Sequence, residues 1–105
     1  MTNKQAKRKC IQHWKRMLKL TVEDIQNYEE APVTDNCSLC EIHWTTHGCP
    51  SCPIKKSTGK DYCKNTPYEK ANALYREIFF TEHKRLSQFR KAVQREIKFL
   101  ENLDV

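Results

Sequence analysis

The chain has 105 residues, of which 38% are hydrophobic and 30% charged, with a formal net charge of +6 and six cysteines. That length allows one domain and a small core, and chains of this size commonly lean on a metal, a disulfide or a partner. No stretch approaches the roughly 20 apolar residues of a membrane span, and the first twenty residues carry neither the apolar run nor the small-residue cleavage site of a secretory leader.

These features place the chain in the cytoplasm as an expectation. Thiols stay reduced there, so clustered cysteines point to metal before disulfides. The charge is unevenly spread. Residues 1–20 hold seven bases and no acid, residues 21–36 hold five acids and no base, and residues 64–105 hold nine bases and six acids. A basic arm beside an acidic link implies either an anionic partner or internal charge pairing.

In chain order, residues 4–20 read as an amphipathic helix. At about 100° per residue, Ala6, Cys10, Ile11, Trp14, Met17 and Leu18 fall on one arc. Lys4, Arg8, Lys15 and Lys19 form a separate stripe. Cys10, on the apolar arc, reads as a buried and inert small residue. Thr21 can cap a short second helix, with Asp24 three places on as a variant of the capping box. Residues 31–36 read as a loop.

Residues 37–63 contain both glycines and two of the four prolines. The segment reads as too irregular for a helix and too short for a sheet, so that metal ligation would have to order it. Thr66-Pro67-Tyr68-Glu69 is a helix start, with a capping Thr, a Pro at the first position and a Glu able to reach back. From there one apolar arc runs through Tyr68, Ala71, Leu74, Tyr75, Ile78, Phe79, Leu86, Phe89, Val93, Ile97, Leu100 and Leu103. Unbroken, residues 67–103 would span about 55 Å. Glu82 intrudes on that arc and Thr81 can cap a fresh helix, so a bend or break is expected between Phe80 and Lys84.

The ligand candidates are Cys37, Cys40, His43, His47, Cys49, Cys52 and Cys63. A Cys-x2-Cys pair lets two thiolates meet one ion from a tight turn, and two such pairs supply the tetrahedral set that zinc favours. Cys37, Cys40, Cys49 and Cys52 are the favoured four. Cys63 stands first in reserve, and His43 or His47 can take one place. Four thiolates make a closed structural site and leave no open position for catalysis. A zinc nucleotide deaminase would need His-x-Glu before its Pro-Cys-x-x-Cys, and a redox Cys-x-x-Cys enzyme would need a βαβ context. Neither is present, and no other acid, base or nucleophile arrangement points to an enzyme.

The run from Cys37 to Tyr68 resembles a group of small phage-encoded cysteine-rich proteins, mostly uncharacterised. The shared features are Cys37 and Cys40, Trp44 in a short loop, Cys49 and Cys52 followed by Pro53, the Thr58-Gly59 turn, Cys63 and Thr66-Pro67-Tyr68. His13-Trp14-Lys15-Arg16-Met17 looks like that group's first helix. The likeness covers the middle third of the chain closely and the flanks loosely. It implies a phage or prophage product acting in the bacterial host cytoplasm. It implies no activity and transfers no functional residues.

The expected architecture is a mostly α single domain over residues 1–105. A helical arm (residues 1–31) forms a hairpin with a long, bent or broken C-terminal helix (residues 66–103), joined by a cysteine-rich zinc knob. The ion, more than a large core, is expected to fix the structure. Two apolar arcs bury little, which leaves a homodimer through the C-terminal helix open.

Two functions are carried forward. One is a zinc-stabilised module that binds and modulates or inhibits a host protein or protein–nucleic acid complex, including defence systems such as a CRISPR nuclease. The other is a zinc-finger protein that binds nucleic acid through basic helix faces. Lys84, Lys91, Arg95 and Lys98 share a face away from the apolar arc. Trp44 offers either a stacking or anchoring ring or a lid over the thiolates. Phe80 lies off the core arc and is expected at the surface.

Overall fold

A computed structural model describes residues 2–27, 38–43, 51–59, 66–81 and 85–103, with the side chains of Cys40, Glu41 and Thr81 outside the description. Six helices account for most of these residues: α1 (Asn3–Met17), α2 (Val22–Gln26), α3 (Ser38–His43), α4 (Pro53–Thr58), α5 (Pro67–Thr81) and α6 (Leu86–Glu101). The expected mostly helical class holds, and among the described residues there is no strand.

Helix α1 starts on a capping box that the sequence reading had not used. The Gln5 amide donates to Thr2 Oγ1 at 3.2 Å, and the Thr2 amide donates to Gln5 Oε1 at 2.9 Å. Two of the donors that a helix start leaves bare are thereby satisfied. The helix stops at Met17, three residues earlier than the apolar pattern suggests, and tight turns carry the chain to Leu20. At Thr21 the expected cap is present. The Asp24 amide donates to Thr21 Oγ1 at 3.2 Å and the Thr21 amide to Asp24 Oδ2 at 3.0 Å. Thr21→Ala removes the first of these bonds and is expected to lower stability by about 1 kcal/mol. A urea midpoint that does not move would show that Ile25, fully buried beneath α2, holds this turn without the cap.

The arc that runs through residues 67–103 does not belong to one helix. The longest dimension of the described structure is 37 Å, too short for an unbroken helix of that length. Helix α5 ends at Thr81 and α6 begins at Leu86 and packs back along it. Phe89 of α6 meets Tyr75 of α5 with ring centroids 5.9 Å apart. Across the reversal, Arg85 Nη1 donates to both carboxylate oxygens of Glu77, at 2.8 and 3.1 Å. This pair is solvent-accessible and adds at most about 1 kcal/mol, so the hairpin depends on its apolar face.

Helix α6 packs against both α5 and α1, while α2 packs on α5 and α3 on α1. The buried apolar side chains form one contiguous cluster. It takes Ala6, Cys10, Trp14 and Met17 from α1, Ala71, Leu74, Tyr75 and Ile78 from α5, and Phe89, Ala92, Val93, Ile97 and Leu100 from α6. The cysteine-rich segment adds only Leu39, Cys52 and Ile54 among the described residues. The core is thus larger than the composition suggested, because the α5–α6 reversal gives the arc a partner within the chain. Two polar links tie its edges. Arg90 Nη2 donates to the Leu20 carbonyl at 3.0 Å, and Lys7 Nζ donates to the carbonyls of Glu101 and Leu103 at 3.0 and 2.8 Å.

Candidate functional site

The segment read as irregular holds two short helices. In α3 Cys40 occupies the first turn, and Leu39 beside it is fully buried. Helix α4 starts immediately after Cys52, with Pro53 at a position where the missing amide hydrogen costs nothing. It ends at Gly59, whose φ of 74° lies in the left-handed region that glycine enters without a Cβ clash. The Gly59 amide closes the turn by donating to the Lys55 carbonyl at 2.6 Å. In α4, proline and glycine therefore mark the two ends of the helix instead of breaking it.

His43 joins three elements. Its Nδ1 lies 2.7 Å from Ser51 Oγ and its Nε2 lies 2.5 Å from Asn3 Oδ1. The Asn3 oxygen only accepts, so Nε2 carries the proton, and in the neutral ring Nδ1 accepts from the Ser51 hydroxyl. The end of α3, the start of α4 and the start of α1 meet on this one side chain. The clasp also brings together the two stretches that carry the Cys-x2-Cys pairs. Cys40 is three residues before His43, and Cys52 directly follows Ser51.

Cys52 is 1% exposed. Of the remaining ligand candidates, Cys37, His47, Cys49 and Cys63 lie outside the described residues, as does the Cys40 side chain. Among the described residues no group of three or more His, Cys, Asp or Glu side chains is placed to hold a metal. The donor chemistry of the four favoured cysteines suits zinc. In the arrangement seen, His43 would have to give up one of its two hydrogen bonds to become a ligand.

The proposed partner-binding residues divide in the same way. Phe80 is 69% exposed at the end of α5, with its ring edge-on to Phe79 at 4.8 Å. Lys91, Arg95 and Lys98 are exposed on one face of α6. Trp44 and Lys84 lie outside the described residues. Cys10 is buried in the main core, as expected for a packing residue.

Sequence reasoning missed two buried ionisable side chains, His13 on α1 and Glu96 on α6, which are 4% and 3% exposed. Position held the signal. His13 shares a face with Ala6, Cys10 and Met17, and Glu96 shares one with Phe89, Val93 and Leu100. No described helix is long and apolar enough to cross a membrane. Compared with known proteins, the sequence matches no family model, no curated protein and no solved structure.

Proposed function

We propose that the chain is a zinc-stabilised interaction module of phage origin, which binds and modulates or inhibits a protein or protein–nucleic acid complex of the bacterial host. A defence system such as a CRISPR nuclease is among the targets of this kind, and the action is binding, not catalysis. Zinc joins Cys37, Cys40, Cys49 and Cys52 in this reading. The clasp at His43 and Ser51 supports it by holding the Cys40 and Cys52 segments against one another. Origin and cytoplasmic setting rest on the resemblance carried by the cysteine run.

The observation that carries the binding reading is Phe80. A large aromatic ring left 69% exposed at the end of α5 is the anchor that a protein interface needs. The exposed bases of α6 supply steering toward an acidic partner. The same bases also favour a second reading, nucleic-acid binding through the helix faces. Six acids among the nine bases of residues 64–105 dilute a phosphate-tracking field and place that reading second.

Capture from bacterial lysate on the immobilised full chain, followed by kinetics with the captured complex, tests the proposal. Charge reversal at Lys91 and Arg95 is expected to slow association more than it speeds dissociation. Phe80→Ala is expected to speed dissociation and leave folding intact. Sub-micromolar binding to bare DNA at physiological salt, lost in Lys91→Glu and unchanged in Phe80→Ala, would put the nucleic-acid reading first.

A further inference from the structure

The strongest feature outside the surface just described is a groove of about 590 Å³ along the outer side of α1, where the chain beyond α6 crosses it. Its lining holds Lys4, Lys7, Arg8 and Lys15, with Ile11 half-buried among them. A second hollow, which shares Arg8, continues past Lys9 and Gln5. Lys4, Arg8, Lys9 and Lys15 are exposed. No acid occurs in residues 1–20, so helix α1 itself supplies no carboxylate to these charges.

The groove is built by Lys7. Its ammonium donates to the carbonyls of Glu101 and Leu103 and pins the end of α6 across α1. Ile11 lies half-buried among these cations, while Leu103, in the same lining, is almost wholly buried. Lys7 is occupied by this task, which leaves Lys4, Arg8 and Lys15 to meet a ligand.

We infer that this groove is a docking site for an acidic segment of a partner protein, one that carries an apolar side chain between carboxylates. Two observations select a peptide over a nucleic acid. The lining holds no aromatic ring, so the groove offers no platform on which a base could stack. Its apolar lining is aliphatic, which suits a leucine-like side chain and is wasted on a phosphate backbone. Charge complementarity supplies the steering, and half-buried Ile11, with the aliphatic stems of the flanking lysines, supplies the apolar contact that makes the match more than a charge patch. The inference deepens the interaction-module reading by adding a second surface, and it rests on that reading only for the presence of a protein partner.

Fluorescence anisotropy with the full chain at low salt tests it. The probe is a short labelled peptide of Asp and Glu around one central Leu, compared with the same peptide carrying Ser at the centre and with a single-stranded thymidine oligonucleotide. The Leu peptide is expected to bind saturably. Arg8→Glu with Lys15→Glu, both at exposed positions, should weaken it by about tenfold or more, as should a rise in salt. Lys91→Glu with Arg95→Glu should weaken it far less, through the general loss of positive charge alone. Any one of three results would overturn the inference: no saturable binding at millimolar peptide, equal binding of the Ser peptide, or tighter binding of the oligonucleotide that is lost in the α1 variant. The two surfaces separate cleanly. If the α1 variant leaves peptide binding intact while Phe80→Ala weakens lysate capture, the groove falls and the proposed function stands. If the groove binds peptide but no α6 or Phe80 variant affects capture, the surface under the proposed function falls.

Discussion

Chelation is expected to unravel α3 and α4 while α1, α5 and α6 keep most of their helical signal. The two short helices have six residues each, far below the length at which an isolated helix persists in water. They contribute Leu39, Cys52 and Ile54 to the core, α3 packs on α1, and His43 bonds to Ser51 and Asn3, but such short helices gain little from their own hydrogen bonds. Structural zinc in comparable small modules contributes roughly 10–16 kcal/mol of apparent binding free energy at neutral pH. Cys37→Ser or Cys40→Ser should reproduce the effect of chelation. Cys10→Ser, in the main core, should cost only about 1–3 kcal/mol for a buried hydroxyl. Elemental analysis is expected to give one zinc per chain, and X-ray absorption a sulfur shell. A metal-free chain, or a shell of oxygen and nitrogen, would remove the zinc proposal.

The main core has its own point of greatest sensitivity. Phe89 is fully buried, lies on the helix that touches both α5 and α1, and packs its ring against Tyr75. Phe89→Ala is expected to destabilise the chain by about 3–5 kcal/mol, the sum of lost transfer energy and the cavity left behind. Against a typical total of roughly 5–15 kcal/mol, that loss leaves a domain close to unfolding. Denaturant unfolding of the zinc-loaded chain reads it directly. A loss below about 1 kcal/mol would mean that the α5–α6 contact contributes little and that the metal site carries the stability after all.

The contrast between these two sites shows what could be read from residue types. The Thr21 cap, the helix start at Pro67 and the interruption after Phe80 were legible because each depends on a few adjacent side chains. The direction of the chain after Thr81 was not. An apolar arc of fixed phase is compatible both with one long helix and with two helices facing each other, since in either case the arc lies along one side. Deciding between them needs the loop geometry and the partner face. Helix α4 escapes a reading of Pro53 and Gly59 as interruptions, since they stand at its first position and just past its last. His13 and Glu96 were passed over because the arc was drawn from apolar residues, and a helix buries positions without regard to side-chain type. In the candidate metal site, residue types and spacing offer candidate ligands but not their meeting. The clasp that brings α3 and α4 together depends on Asn3, which is distant in sequence and carries no metal-ligand signature.

The attachment of Lys7 to the carbonyls of Glu101 and Leu103 also sets the order in which the protein can be completed during synthesis. These bonds join groups 94 and 96 positions apart, and α1 has most of its apolar side covered by α6. At a synthesis speed of roughly 5–20 residues per second, α1 leaves the ribosome of order ten seconds before the helix that covers it. Part of the apolar side of α1 is covered sooner, since α3 packs on α1 and Tyr68 meets Trp14 edge-on, but the part beneath α6 waits for the whole interval. The α5–α6 hairpin involves only close neighbours and closes quickly. Until α6 is made, the side of α1 that α6 covers stays open, and the arrival of α6 ends that exposure.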